Sequence, residues 1–289
     1  MKLVKTSGKE FGRFYNRNYS CSRNIMKKVS KIIEDVQREG DSALIRYTRK
    51  FDKVRLSPRQ LKVSAREVNG AYQDISPTLV ESLKVAIENI TFFYKKQLKK
   101  SRKVLNKDDV VLGEVIKPLA SVGIYIPSGT APLVSTVYMT VLPAKLAGVE
   151  RIVLISPPDK YQSINPQVLA VANLLGVREI YKAGGAQAIA ALAFGTKTIP
   201  RVDKIIGPGN QYVTEAKRQV FGYVDIDMLA GPSEVVIIAN RYTETRLVAA
   251  DMAAQSEHSG GLSILITTSK PMAKAIKELP APGYVIHVK

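Results

Sequence analysis

Two side chains able to bind a metal stand three residues apart, Gln255 and His258, in the run DMAAQSEHSGG. On a helix, positions i and i+3 share a face with β-carbons about 5–6 Å apart, near enough for both to ligate one ion. A neutral imidazole is a natural Zn2+ ligand. Tetrahedral zinc takes four ligands, or three and a water, so this pair is at most half a site. The same residues also read as a surface glutamine and a helix-terminal histidine before the Gly260-Gly261 stop, where a cationic imidazole suits the helix dipole. Spacing alone leaves both readings open.

Three glycine-containing loops follow runs of strand character: Pro127-Ser128-Gly129-Thr130, Gly207-Pro208-Gly209-Asn210 and Ala230-Gly231-Pro232-Ser233. Ligands of an open parallel sheet gather at the carboxyl ends of its strands. Glycine lets the backbone approach a phosphate or ribose closely, and a following helix offers free N–H groups. There is no GxGxxG, so the usual dinucleotide fingerprint is missing, and each loop alone also reads as a plain turn. His287, in YVIHVK, reads as a structural residue at the edge of a strand. Cys21, in SCSRN, has no histidine near it in sequence and reads as an incidental thiol.

Short apolar runs alternating with amphipathic stretches supply a frame for those loops after Pro118. Strands are expected at 121–127, 151–158, 178–184, 203–209, 234–239 and 262–268. Helices are expected at 138–148, 166–176, 186–196 and 243–258. Strands alternating with helices of about 10 to 15 residues argue for crossover units and a parallel sheet. Upstream, Ile25, Val29, Ile32, Ile33 and Val36 recur at helical spacing over 23–39, and Gly40 ends that helix. Asp41 is expected to cap a second helix, SALIRYTRKF. A third, 78–100, is entered through Ser76-Pro77 and places Leu79, Leu83, Ile87, Ile90 and Phe93 on one face. TFFYKKQ (91–97) thus reads as a core-facing helix rather than a base-stacking platform.

The 289 residues are 45% hydrophobic and 24% charged, ordinary for a globular chain with a sizeable core. No apolar run reaches the roughly 18 to 20 residues that cross a bilayer, and the basic N-terminus lacks the apolar segment of a secretory signal. The single cysteine excludes an internal disulfide and fits a reducing compartment, so the expected location is cytoplasmic, with no membrane partner. Of the net charge of +18, residues 1–110 carry +14, from 26 Lys/Arg against 12 Asp/Glu. Those charges are spread along helical segments with apolar residues between them and no nucleic-acid motif. They read as solvated basic faces, and no nucleic-acid partner is expected.

Several blocks in order resemble the histidinol dehydrogenase family: VQREGDSALIRYTRKFD (36–52), VGIYIPSGTAPLVSTVYMTVLPAKLAGV (122–149), GGAQAIAALAFGT (184–196), IIGPGNQYVTEAKRQV (205–220), IDMLAGPSEVVIIA (226–239) and AADMAAQSEH (249–258). The resemblance runs over essentially the whole chain. It implies an α/β fold of two incomplete Rossmann-like parallel-sheet domains with an N-terminal helical extension. The expected division is an N-terminal helical arm at 1–22, a discontinuous first domain at 23–117 plus 236–289, and an NAD-binding second domain at 118–235. It also implies a zinc- and NAD-dependent oxidation of L-histidinol to L-histidine through the aldehyde, by a homodimer whose active site uses both subunits. Carried over by motif, Tyr125, Gln187 and Asn210 match NAD contacts, Ser233 a substrate contact, and Gln255 and His258 two zinc ligands that also face substrate. The family's catalytic Glu–His pair and its remaining zinc ligands, an aspartate and a histidine, lie beyond the stretch that ends at Lys289. The chain is therefore expected to be incomplete and inactive by itself. Departures from the family pattern are Ser128 where Gly is usual, Val134 for Pro, Ser259 for Asp and Tyr94 for His. A paralogue acting on another small polar alcohol, or a non-catalytic short form that binds cofactor or a partner chain, remains an alternative.

Overall fold

A computed structural model describes residues 1–4, 11–14, 22–105, 109–128, 133–229, 234–256, 262–279 and 283–288. The chain divides into two compact units, Met1–Cys21 with Ala230–Lys289, and Ser22–Leu229. Its first strand, β1 (Lys2–Val4), belongs to the smaller unit. Over the described residues, 1–22 is therefore this strand plus one short 3-10 turn at Phe11–Phe14 rather than a helical arm. The reason is pairing: Lys2, Leu3 and Val4 run parallel to Tyr284, Val285 and Ile286, and Val4 is buried there.

The larger unit opens with α1 (Arg23–Glu39) and α2 (Asp41–Phe51). Ser22 caps α1 by accepting the Ile25 N–H, and Gly40 ends it at φ +56°, where a side chain would strain the backbone. Asp41 does not cap α2; Gly40 holds that position, and Asp41 is the first helical residue. Its carboxylate is drawn instead to Thr198, accepting from the backbone N–H at 3.3 Å and from the hydroxyl at 2.6 Å. That long-range tie outweighs the local capping preference. Next come α3 (Ala65–Ala71) and α4 (Pro77–Lys95). Ser76 caps α4, and Leu79, Leu83, Ile87 and Ile90 face the core as the spacing predicts. At the next turn, however, Tyr94 packs inward while Phe92 and Phe93 are exposed, so the inward stripe runs on through Tyr94 rather than Phe93. An antiparallel hairpin that the pattern did not reveal follows, β2 (Arg102–Leu105) with β3 (Val111–Glu114), exposed along both strands.

Strand–helix alternation then delivers β4 (Ser121–Tyr125), α5 (Val134–Leu146), β5 (Arg151–Ser156), α6 (Pro166–Leu174), β6 (Glu179–Lys182), α7 (Gly185–Phe194), β7 (Lys204–Ile206), α8 (Gln211–Val220) and β8 (Asp225–Ile226). The five strands form one parallel sheet in the order β6-β5-β4-β7-β8. Period-two alternation sends successive residues to opposite faces. Val122, Ile124 and Leu154 pack with Val137 and Val141 of α5 and Leu169 of α6, whereas Tyr125, Val153 and Ile155 pack with α1, α2, α7 and α8. Gly123 lets α7 lie directly on β4: a β-carbon there would sit 2.9 Å from both δ-carbons of Leu192. Within the larger unit, segment 23–117 shares its core with 118–229, because the apolar faces of α1 and α2 are completed by α7 and α8.

The smaller unit holds β9 (Glu234–Ala239), α9 (Thr245–Ser256), β10 (Leu262–Thr267), α10 (Lys270–Lys277) and β11 (Tyr284–His287). Its parallel sheet runs β1-β11-β10-β9 over a core of Val248, Met252, Leu265, Met272, Ile276 and Val285. His287 ends an interior strand opposite Thr267, a structural position. Among the described residues, no helix is long and apolar enough to cross a membrane.

Candidate functional site

In the larger sheet the chain steps from β4 outward through β5 and β6, then returns to place β7 on the other side of β4. Such a reversal opens a crevice at the carboxyl ends of the two central strands, where open parallel sheets bind ligands. Tyr125 ends β4, and Gly207-Pro208-Gly209-Asn210 follows β7.

Contact dictates the two glycines of that loop. Gly207 has φ +121°, and a β-carbon on it would lie 2.2 Å from the Tyr125 carbonyl oxygen; on Gly209 it would lie 2.3 Å from Val213 Cγ1. Asn210 then caps α8, its Oδ1 accepting from the N–H groups of Tyr212 at 3.0 Å and Val213 at 3.2 Å. With that oxygen committed, what Asn210 offers a ligand is its side-chain N–H. Behind the loop, the buried Lys217 donates from Nζ to the Gly207 carbonyl at 3.0 Å and pairs with Asp227 Oδ1. Asp227 Oδ2 accepts the Gly207 N–H at 2.9 Å. One ion pair thus holds both backbone polar groups of Gly207.

A second group of polar atoms meets on the β6 side. The Oη of buried Tyr125 accepts the Gly185 N–H at 3.1 Å and so fixes the first turn of α7. Burial pushes the phenol up to about 12, with the Asp52 charge adding to the rise and the Gly185 bond opposing it, so Tyr125 remains neutral. Gln187, in that first turn, is 1% exposed, yet among the described residues neither Oε1 nor Nε2 has a hydrogen-bond partner. A buried polar group left unmatched costs about 1–3 kcal/mol, so this amide is poised for a partner brought from outside. Asp52, at the end of α2, reaches the same turn: a β-carbon on Gly184 would come within 3.3 Å of its Oδ1. Its Oδ2 is buried with no partner among the described residues, and desolvation raises the carboxyl to about 6.

That raised value has a consequence for stability. The folded chain holds the Asp52 proton more tightly than an unfolded chain with the ordinary value of 3.8, so stability falls as pH climbs from about 4 to about 6. Asp52→Asn removes the loss. Its melting temperature should exceed the parent's at about pH 7.5 and approach it at about pH 3.5; an equal offset at both would assign the effect to something other than this ionisation.

The structure brings Tyr125, Gln187 and Asn210 to the carboxyl ends of β4, β6 and β7, with Tyr125 touching both neighbours: its carbonyl abuts Gly207 and its hydroxyl meets Gly185. Gln255 lies half-buried in the last turn of α9. Ser233, His258 and Cys21, with the loops at 129–132 and 230–233, lie outside the described residues, so the Gln255–His258 pairing is not seen. Among the described residues no group of three or more His, Cys, Asp or Glu side chains could hold a metal. Sequence reading missed Asp52, Lys217 and Asp227. For Asp52 a signal existed: an acid at a helix C-terminus opposes the dipole, a local rule broken without local return.

Residues 15–280 match the sequence model described as histidinol dehydrogenase. The chain is 50% identical over 259 residues to histidinol dehydrogenase of Listeria innocua, covering 89% of this chain and 60% of the relative. It is 48% identical over 269 residues to that of Caldanaerobacter subterraneus, covering 93% and 62%. It thus spans about 60% of the length of these curated relatives. Among solved structures, histidinol dehydrogenase from Elizabethkingia anophelis superposes with a TM-score of 0.88 at 38% identity, covering all of this chain and 71% of the other.

Proposed function

The chain belongs to the histidinol dehydrogenase family, and from that premise we propose that it carries the NAD+-binding lobe and part of the substrate site of an enzyme oxidising L-histidinol to L-histidine through the aldehyde. One observation carries the cofactor reading: the fully buried, unpartnered Gln187 amide at the mouth of a parallel-sheet crevice. The residues present fit a dinucleotide. Gln187 offers a donor and an acceptor, Asn210 a donor, neutral Tyr125 an aromatic wall, and the glycines at 207 and 209 a backbone that a ligand can approach closely. When bound, NAD+ accepts hydride from the carbinol carbon, once for each of the two oxidations.

The chain's own contribution is positional. Tyr125 locks the Gly184-Gly185 turn, the Lys217–Asp227 pair locks the Gly207 loop, and together they hold the two lips of the crevice in register. Ser233, Gln255 and His258 are proposed to face L-histidinol, and the last two to ligate Zn2+. Only Gln255 of that donor set lies among the described residues, which by itself does not make a metal site, so no step is routed through one. The proton transfers are assigned to the family's Glu–His pair, which has no counterpart in the matched blocks, and the working unit to a cytoplasmic homodimer with a shared site.

Calorimetric titration of the 289-residue chain with NAD+ tests this directly. Saturable binding is expected, and Gln187→Leu should weaken it at least about tenfold while raising the melting temperature of the ligand-free chain, because an apolar side chain of similar volume removes two unmatched polar atoms. Undiminished affinity in the folded variant would overturn the reading. Supplied with zinc and L-histidinol, the same chain should form no NADH; turnover would place the acid–base groups within these residues.

A further inference from the structure

The regular position for a ribose-binding acid in a Rossmann-type sheet is just after its second strand. Here that strand is β5, and the acid following it is Asp159. One oxygen of Asp159 is already committed: its Oδ1 accepts the N–H groups of Tyr161 at 2.8 Å and Ser163 at 3.1 Å, closing its own turn. A different acid reaches the same end of the sheet. Asp52 comes from α2, outside the strand–helix repeat. It meets Gly184, which follows β6, at a point where a β-carbon would also lie 2.7 Å from Cγ of Pro157, which follows β5. Among the described residues no cation pairs with it, and its Oδ2 is buried with no donor in reach.

In the order β6-β5-β4-β7-β8, the ends of β4, β5 and β6 make up the first mononucleotide half, the side that takes the adenosine. Gln187, beside the same turn, is a buried side chain with no partner among the described residues, an independent sign that a polar ligand group belongs there. We propose that Asp52 accepts a hydrogen bond from a hydroxyl of the adenosine ribose and, by its charge, excludes a phosphate at that place, so that it sets the preference for NAD+ over NADP+. This rests on the cofactor reading above.

A carboxylate facing a ribose hydroxyl makes a charge-assisted bond, whereas a 2′-phosphate would bring like charges together in a partly desolvated site. The retention of an acid with one buried, unmatched oxygen then has a cause, since the ligand supplies the partner that the described residues do not.

The test is calorimetric titration of NAD+, NADP+ and the 2′- and 3′-deoxy analogues of NAD+ into the parent chain, Asp52→Asn and Asp52→Ser. The parent should bind NAD+ at least about tenfold more tightly than NADP+ and should lose affinity for one deoxy analogue. Both variants should bind NADP+ better relative to NAD+, narrowing the ratio about tenfold, and should no longer sense the missing hydroxyl. Melting curves of the ligand-free variants, expected at or above the parent's near neutral pH, separate a binding defect from misfolding. If the parent binds NAD+ but the ratio and the deoxy sensitivity survive in both variants, Asp52 does not read the ribose and this proposal alone is overturned. If the parent binds neither dinucleotide, the cofactor reading falls and takes this proposal with it.

Discussion

Gly207→Ala should abolish NAD+ binding and lower the melting temperature by roughly 6–12 °C, the largest effect expected of a single added methyl group among the described glycines. The added carbon would lie 2.2 Å from the carbonyl oxygen of Tyr125, a backbone atom that cannot rotate away, at φ +121°, where L side chains are strained. Strain and clash together are put at about 3 kcal/mol, and each kcal/mol shifts the melting temperature of a domain of this size by about 2–4 °C. Gly222→Ala is the internal control. Its φ is +103° but nothing lies within 4 Å of the added carbon, so only the backbone strain should register. Equal melting shifts in the two variants would show that the close approach of β4 and β7 is not what requires glycine at 207.

Lys217→Met should destabilise the larger unit by about 3 kcal/mol, because it removes one member of a buried pair and leaves Asp227 and the Gly207 carbonyl without their cation. Exposed pairs elsewhere behave differently: Lys84 with Glu81 joins two well-exposed side chains and should contribute well under about 1 kcal/mol. Adding Asp227→Asn to Lys217→Met should cost less than the sum of the single variants, since the second change removes the charge that the first left unpaired. Thermal denaturation of the four proteins measures this coupling. Strict additivity would mean that the two side chains do not act as one clamp on the loop.

The alternation of strands and helices was legible because it rests on local pattern: β9 falls on 234–239 as expected, and α1 on 23–39. What the pattern did not carry was long-range choice. Asp41 reads as a cap until Thr198, 157 positions away, takes its carboxylate. The helices of 23–117 could have been assigned to either sheet, and the assignment depends on apolar faces of α7 and α8 that no local window contains. The exposed hairpin of β2 and β3 buries neither face, so it leaves no alternation to find.

The site divides along the same line. Tyr125, Gln187 and Asn210 are proposed as cofactor contacts through family blocks, and the structure adds what motifs do not state: which of their atoms are already engaged among the described residues. The oxygen of Asn210 is committed to a helix cap, the hydroxyl of Tyr125 already accepts a backbone N–H, and the amide of Gln187 is unmatched among the described residues. Asp52 and the Lys217–Asp227 clamp are visible only in three dimensions, because their partners lie on other strands and loops. Gln255 stands in the last turn of α9.

The most direct test of the central claim is a crystal structure of the 289-residue chain soaked with NAD+. The dinucleotide should lie across the carboxyl ends of β4 and β7, with the Gln187 amide within hydrogen-bonding distance of it and the adenosine ribose toward Asp52. A dinucleotide bound elsewhere, with Gln187 still unpartnered, would contradict the account.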